Sequence, residues 1–154
     1  MRTSFSGFFA AALLAVLLAA TASGSAQTAN SCQLLNQHDA AALFGSPLQP
    51  PIDVGTMCMY TNASGPVVTI TVGPAAGSAG PDFVKAKMGV GQGDTVELVP
   101  GLGNQNLLDM RPNGTNVLTV FFHQKMVILS VQKHMDARLK ASMIETARQI
   151  IGKI

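Results

Sequence analysis

Charged residues are scarce in this sequence. They make up 12% of its 154 residues, whereas an ordinary soluble domain has about a quarter. The net charge at pH 7 is only +2, so the basic pI of about 8.7 does not reflect a large excess of positive charge. Proteins that bind nucleic acid or anionic lipid usually present a concentrated basic surface. The composition therefore argues against nucleic acid and anionic membranes as partners.

Aromatic residues are also few, at 5% with no tryptophan. Beyond the N-terminal segment the chain keeps only Phe44, Tyr60, Phe83, Phe121 and Phe122. Sites for sugars or single-stranded nucleic acid stack their ligands on aromatic rings, so neither kind of site is predicted.

Catalytic motifs are also missing. The sequence has no GxSxG, DxD or HExxH motif, and His38, His123 and His134 are expected to be surface residues. The glycine-rich run at 89–93 precedes a predicted strand, whereas a nucleotide-binding loop leads from a strand into a helix. The sequence thus predicts no enzyme, no catalytic residue, no cofactor and no metal ion.

An apolar run of 13 residues, 8–20, follows Arg2 and leads into small residues that end at Ala26. A membrane-spanning helix needs about 20 apolar residues, whereas a signal peptide needs only about 7–15. We therefore predict a signal peptide at 1–26, a disordered polar leader at 27–31 and a single domain at 32–154. No lipobox precedes Cys32, so the expected product is secreted or periplasmic and has no membrane anchor.

The two cysteines, Cys32 and Cys58, lie in the predicted domain. An exported chain meets an oxidising compartment, where a lone pair of cysteines normally forms a disulfide. A bridge across this loop would stabilise the fold by about 3.5 kcal/mol according to the chain-entropy relation.

The first half of the domain predicts a helix, a connector, a hairpin and a second helix. Asn36 with Asp39 resembles a capping box, and Gly45 suits a helix end, which gives a helix from Gln37 to Phe44. Prolines make 46–53 an irregular connector. Alternating apolar residues predict strands at 56–62 and 67–73, and a short helix is expected at 81–89.

The second half predicts four strands in meander order and a final helix. The strands are expected at 95–99, 105–111, 115–122 and 126–132, with a hairpin signal at Asn113-Gly114. Apolar residues on one helical face mark 136–154. The predicted fold class is α+β, an antiparallel sheet of about six strands with helices on one face, in the order α-β-β-α-β-β-β-β-α.

Methionine is the compositional oddity. Met57 and Met59 flank Cys58 and point the same way in a strand, so they are either core residues or a surface feature. With histidine they could suit Cu(I), which leaves a copper-binding protein as one alternative. We predict Met57, Met59, Phe121 and Phe122 as a possible ligand or partner surface.

Four short segments carry a family resemblance: CQLL at 32–35, ALFG at 42–45, CMY at 58–60 and VPGLGN at 99–104. Together with the paired strands and the amphipathic C-terminal helix, they resemble a group of small exported bacterial proteins, often lipoproteins. Those proteins are related in fold to the extracellular sensor domain of a receptor-type Ser/Thr kinase. The resemblance implies an α+β fold, a groove between helices and sheet, and a disulfide from the first helix to the first strand. It supplies no catalytic residues.

These observations favour an exported, non-catalytic binding module for a small ligand or an exported protein partner. Long Gly- and Pro-rich loops on a compact scaffold are where recognition residues usually lie. The other alternative is an inhibitor of an exported hydrolase, which would need an exposed apolar patch on the sheet.

Overall fold

A computed structural model describes residues 30–75 and 90–154. The helices are α1 (Ser31–Leu34), α2 (Gln37–Phe44) and α3 (Ala137–Ile151). The strands are β1 (Ile52–Val54), β2 (Met57–Asn62), β3 (Gly65–Pro74), β4 (Thr95–Glu97), β5 (Gln105–Met110), β6 (Thr115–Phe122) and β7 (Lys125–Gln132). The predicted signal peptide, residues 27–29 of the leader and the helix expected at 81–89 lie outside the described residues.

The strands form one antiparallel sheet in the order β1-β2-β3-β7-β6-β5-β4. β3 and β7 are central, and β4 lies at the edge opposite β1. The described helices all pack on one face, which we call the helix face. The predicted α+β class and the meander of the last four strands are confirmed.

The sheet has seven strands rather than about six, because β1 begins within the segment 46–53 that we expected to be an irregular connector. Pro50 and Pro51 directly precede β1, and β1 pairs with β2 at the edge of the sheet. Proline is tolerated immediately before an edge strand, since the missing N–H groups need no partner there.

α2 has the predicted bounds, and its caps explain them. The Asn36 side chain accepts a hydrogen bond from the Asp39 amide, and Gly45 ends the helix in the left-handed region at φ 87°. α3 begins after Asp136, whose side chain accepts from the Leu139 amide. Its buried residues are those of the predicted stripe: Leu139, Met143, Ala147 and Ile150.

The N-terminal segment is tied to the sheet more firmly than expected. Disorder was predicted through Ser31, but Asn30 caps α1, and Ser31 is fully buried with its hydroxyl donating to the Thr56 carbonyl at 2.5 Å. The predicted Cys32–Cys58 disulfide is confirmed, and it joins α1, a helix that the sequence did not predict, to β2. Because the buried Ser31 hydroxyl has a hydrogen-bond partner, the N-terminal segment is ordered from Asn30 onward rather than frayed.

The main core lies between the helices and the helix face. Cys58, Tyr60, Ile70 and Leu129 of the sheet are completely buried there against Met143 of α3 and its neighbours. Because side chains alternate between the faces of a strand, the residues between these core positions all reach the opposite face, which we call the second face.

Candidate functional site

Burial changes across the second face. Ile52 and Val54 of β1 are 48% and 50% exposed, whereas Leu107 of β5 is 1% exposed. On the strands between them, second-face residues such as Met57 and Ile128 are half-buried. The second face is therefore exposed over β1, half-buried over β2, β3 and β7, and buried over most of β6 and β5. We call its open part, centred on Ile52, Val54, Met57, Met59 and Ile128, the open half.

Two cross-strand pairs form the most exposed corner of the open half. Ile52 lies opposite Met59, and Val54 lies opposite Met57. Directly opposed side chains in an antiparallel pair are about 5 Å apart at their Cβ atoms, so the four side chains make one continuous apolar surface.

Asp53 fixes β1 in this register. It lies between Ile52 and Val54 but faces the opposite way, where its carboxylate accepts from the Asn30 side-chain amide at 2.5 Å and from the Gly55 amide at 2.9 Å. Because Asp53 is held on the helix face, Ile52 and Val54 must both point outward on the second face.

A tight turn brings the chain from β1 into β2. Gly55 opens the two-residue loop at φ 74°, a conformation that glycine adopts without steric cost. The sequence did not predict Ile52 and Val54 as surface residues, because the prolines before them indicated an irregular connector. The signal that could have found them is Gly55, which lies between the alternating Ile-Asp-Val of 52–54 and the strand pattern of 57–62.

The predicted surface residues do not form one site. Met57 and Met59 belong to the open half, whereas Phe121 is 8% exposed on β6, three strand spacings or about 14 Å from Met57. Phe122 points to the helix face at the end of β6 and makes an edge contact with the ring of His123 at 4.2 Å. The structure thus joins the methionines to Ile52 and Val54 rather than to the phenylalanines.

The covered half contains a second, smaller apolar cluster. Leu107 and Phe121 form its centre, with Val96 and Met126 packed against them. Ala75 and Val90, which flank the undescribed residues 76–89, contact the same cluster. Phe121 therefore serves packing rather than an exposed surface.

Asp109 is a buried acid at the border of that cluster. Its side chain is 0% exposed, and its Oδ2 accepts a hydrogen bond from Arg111 Nε at 2.9 Å. The Oδ1 atom has no hydrogen-bond partner in the described structure.

A groove separates α2 from α3 on the helix face. It has a cavity volume of about 470 Å³, with Leu43 buried at its base. Charges of both signs line it, and its main lining residues are Asp39, Ala42, Arg138, Ser142, Glu145 and Gln149. A smaller cavity of about 270 Å³ continues it past Gly45 and Lys133.

Among the described residues, Tyr60 has a clearly shifted pKa. Burial, and then the nearby negative charge of Asp39, raise the pKa of Tyr60 to about 12, which keeps its hydroxyl protonated. Within residues 30–75 and 90–154, no cluster of three His, Cys, Asp or Glu side chains could hold a metal ion. The cross-strand neighbours of Met57 and Met59 are Val54, Ile52, Thr71 and Thr69, which offer copper neither nitrogen nor sulfur.

None of the described helices is long and apolar enough to span a membrane. In comparisons with known proteins, neither a family model nor a curated protein matches the chain.

Proposed function

We propose that the protein is an exported, non-catalytic binding module that docks a protein partner on the open half of its second face. The observation that carries this proposal is that Ile52 and Val54 are both exposed and lie directly across from Met59 and Met57 on the same face. Exposed apolar residues that adjoin one another are a feature of protein interaction sites, whereas isolated ones are ordinary on protein surfaces.

Export rests on two independent features. The apolar run at 8–20 has the length of a signal peptide rather than of a membrane span. The Cys32–Cys58 disulfide fits an oxidising, extracellular compartment. Both support a secreted or periplasmic protein.

A small ligand in the groove between α2 and α3 is the second candidate. The groove volume of about 470 Å³ lies in the range of small-molecule sites, about 300–1,000 Å³. Such sites are mostly apolar, however, whereas this groove is lined by exposed charged side chains such as Arg138 and Glu145. The open half is therefore the stronger of the two candidates.

A comparison of baits tests the proposal. The wild-type chain, an Ile52→Ser/Val54→Ser variant and a Gln149→Ser control in the groove are immobilised and exposed to the envelope and culture fluid of the producing cells. We expect a protein that binds the wild type and the control but is depleted from the Ile52→Ser/Val54→Ser bait. Binding of the purified protein, measured by calorimetry, should weaken at least tenfold in the double variant.

Equal capture by all three baits would contradict the proposal, and loss from the Gln149→Ser bait alone would favour the groove. Circular dichroism spectra identical to that of the wild type would show that both variants keep the fold. If the captured protein is a hydrolase, its activity with and without the bound chain tests the inhibitor alternative.

A further inference from the structure

The groove between α2 and α3 has opposite charges at its two ends. Its smaller cavity, at the C-terminal end of α2 and the N-terminal end of α3, is lined by Gly45, Lys133 and Arg138. Asp39 and Glu145 line the larger cavity. Asp39 lies in the first turn of α2, and Glu145 lies about two turns beyond Arg138 along α3, so these two acids mark the other end of the groove.

The basic end has two cations that are not neutralised by an ion pair. None of the ion pairs among the described residues involves Lys133 or Arg138. Lys133 Nζ lies beside Gly45, where a Cβ would be only 2.8 Å from it. Asp136 lines the same cavity, but its carboxylate already caps α3 by accepting from the Leu139 amide at 2.7 Å. Two cations and one capping carboxylate leave this end net positive, which favours the carboxylate of a ligand.

The acidic end has carboxylates that are weakly engaged. Asp39 Oδ2 accepts a hydrogen bond from the Asn36 side-chain amide at 2.8 Å, a neutral donor. Glu145 pairs with Arg148 at 3.4 Å, but both side chains are more than half exposed, and exposed pairs of this kind contribute little. This end therefore favours an ammonium group.

The distance between the two ends limits the length of the ligand. Arg138 and Glu145 are seven positions apart on a helix that rises 1.5 Å per residue, which is about 10 Å along the groove. An extended peptide advances about 3.5 Å per residue, so about three residues cover this distance. The wall between the ends has the small side chains of Ala42, Ala141 and Ser142, which leave room for a peptide backbone.

We propose that this groove binds a peptide of about three residues with free termini, its carboxylate at Lys133 and Arg138 and its ammonium group at Asp39 and Glu145. The inference rests on the second candidate under the proposed function, names its class of ligand and is independent of the open half. Charged walls disfavour a mostly apolar ligand, but they complement a small ligand that carries one charge of each sign at the matching spacing.

Calorimetry with trialanine tests the class of ligand on the purified, disulfide-bonded chain. We expect a dissociation constant of about 1 mM or below. N-acetyl-trialanine and trialanine amide each lack one terminal charge and should bind more weakly. Dialanine and pentaalanine should also bind more weakly than trialanine, because their termini do not match the distance between the two ends of the groove.

Two variants assign the termini to the two ends. Arg138→Gln should weaken trialanine binding about threefold or more and should bind trialanine and its amide equally. Glu145→Gln should likewise bind trialanine and its N-acetyl form equally. Both side chains are exposed, so the fold is expected to persist, which circular dichroism checks. Lys140→Gln is the matched control, because it removes a positive charge from α3 at a side chain that pairs with Glu97 outside the groove.

The outcomes keep this inference apart from the docking proposal. No binding of trialanine at about 10 mM, equal binding of the free and blocked peptides, or an equal loss in Lys140→Gln and Arg138→Gln would overturn the inference. Tighter binding of dialanine or pentaalanine would overturn the assigned length. The Ile52→Ser/Val54→Ser variant should bind trialanine as the wild type does, so a failure of the open half and a failure of the groove are recognised separately.

Discussion

The Tyr60 hydroxyl, on β2, donates a hydrogen bond to the Leu35 carbonyl oxygen, 25 residues earlier in the chain. Leu35 follows α1 directly, so this bond lies beside the Cys32–Cys58 disulfide and the contact between Ser31 and Thr56. Lys153, at the other end of the chain, donates to the Leu34 carbonyl at 3.0 Å. The N-terminal segment is thus fixed by a bridge, two buried hydroxyls and the C-terminus.

The buried Tyr60 hydroxyl should make the fold sensitive to alkali. Burial raises its pKa from the ordinary 10.0 to about 12 in the folded protein, so between these pH values the unfolded chain loses a proton that the folded chain keeps. Stability therefore falls as pH rises from about 10 to 12, by roughly 2–3 kcal/mol from this group. Urea unfolding of the wild type and of Tyr60→Phe across this range measures the difference.

Tyr60→Phe should itself cost about 1 kcal/mol at pH 7, because the Leu35 carbonyl loses its donor. Its stability should then fall less steeply above pH 10 than that of the wild type. Parallel pH profiles for the two proteins would show that Tyr60 does not govern the alkaline transition.

Loss of the disulfide should remove much of the stability of the domain. The bridge joins residues 26 positions apart, and the loop-closure relation assigns it about 3.5 kcal/mol. Cys32→Ala/Cys58→Ala should lower the free energy of unfolding by that order, measured by urea titration at pH 7. The wild type in dithiothreitol should lose a similar amount of stability, whereas the stability of the double variant should not change with reductant. A loss below 1 kcal/mol in the free energy of unfolding of the double variant would contradict this prediction.

The two faces of the sheet should respond differently to the same substitution. Val68 is completely buried on the helix face, so Val68→Thr places a hydroxyl in the core and should cost about 1–3 kcal/mol. Val54 is half exposed on the open half, so Val54→Thr should change stability by no more than about 0.5 kcal/mol. Denaturant midpoints of the two variants give the comparison, and equal losses would mean that Val54 is buried in solution.

Gly103 should tolerate no side chain. It has φ 63°, and a Cβ there would lie 2.5 Å from Val120 Cγ1 and 2.6 Å from the Phe121 carbonyl oxygen. Gly103→Ala should destabilise the fold by about 2–5 kcal/mol, from backbone strain and overpacking together. Gly101 has a similar φ of 69° but open space around it, so Gly101→Ala should cost only about 1–2 kcal/mol. Thermal unfolding of both variants separates the clash from the strain; equal melting temperatures would argue against the clash.

Local signals in the sequence were sufficient for most elements of the fold. The bounds of α2 follow from the Asn36 cap and Gly45, and β6 coincides with its apolar run because short-range hydrogen bonding and side-chain alternation act within a few residues. β1 was not predicted, because its three residues are ordered by pairing with β2. Such pairing leaves no strong pattern within Ile52–Val54 itself. The sequence could not decide which of the predicted surface residues lie together, since strand order alone places Met57 beside Val54 and far from Phe121.

The sequence by itself determined the α+β class, the disulfide partners and the buried stripe of α3, because each depends on residue type and on a period of two or 3.6 residues along the chain. The tertiary structure decided which apolar residues remain exposed. Ile52, Val54, Met57 and Met59 have the same hydrophobic character as core residues of this protein. They form a surface because they share the sheet face opposite the helices, at the edge where the strand order places them.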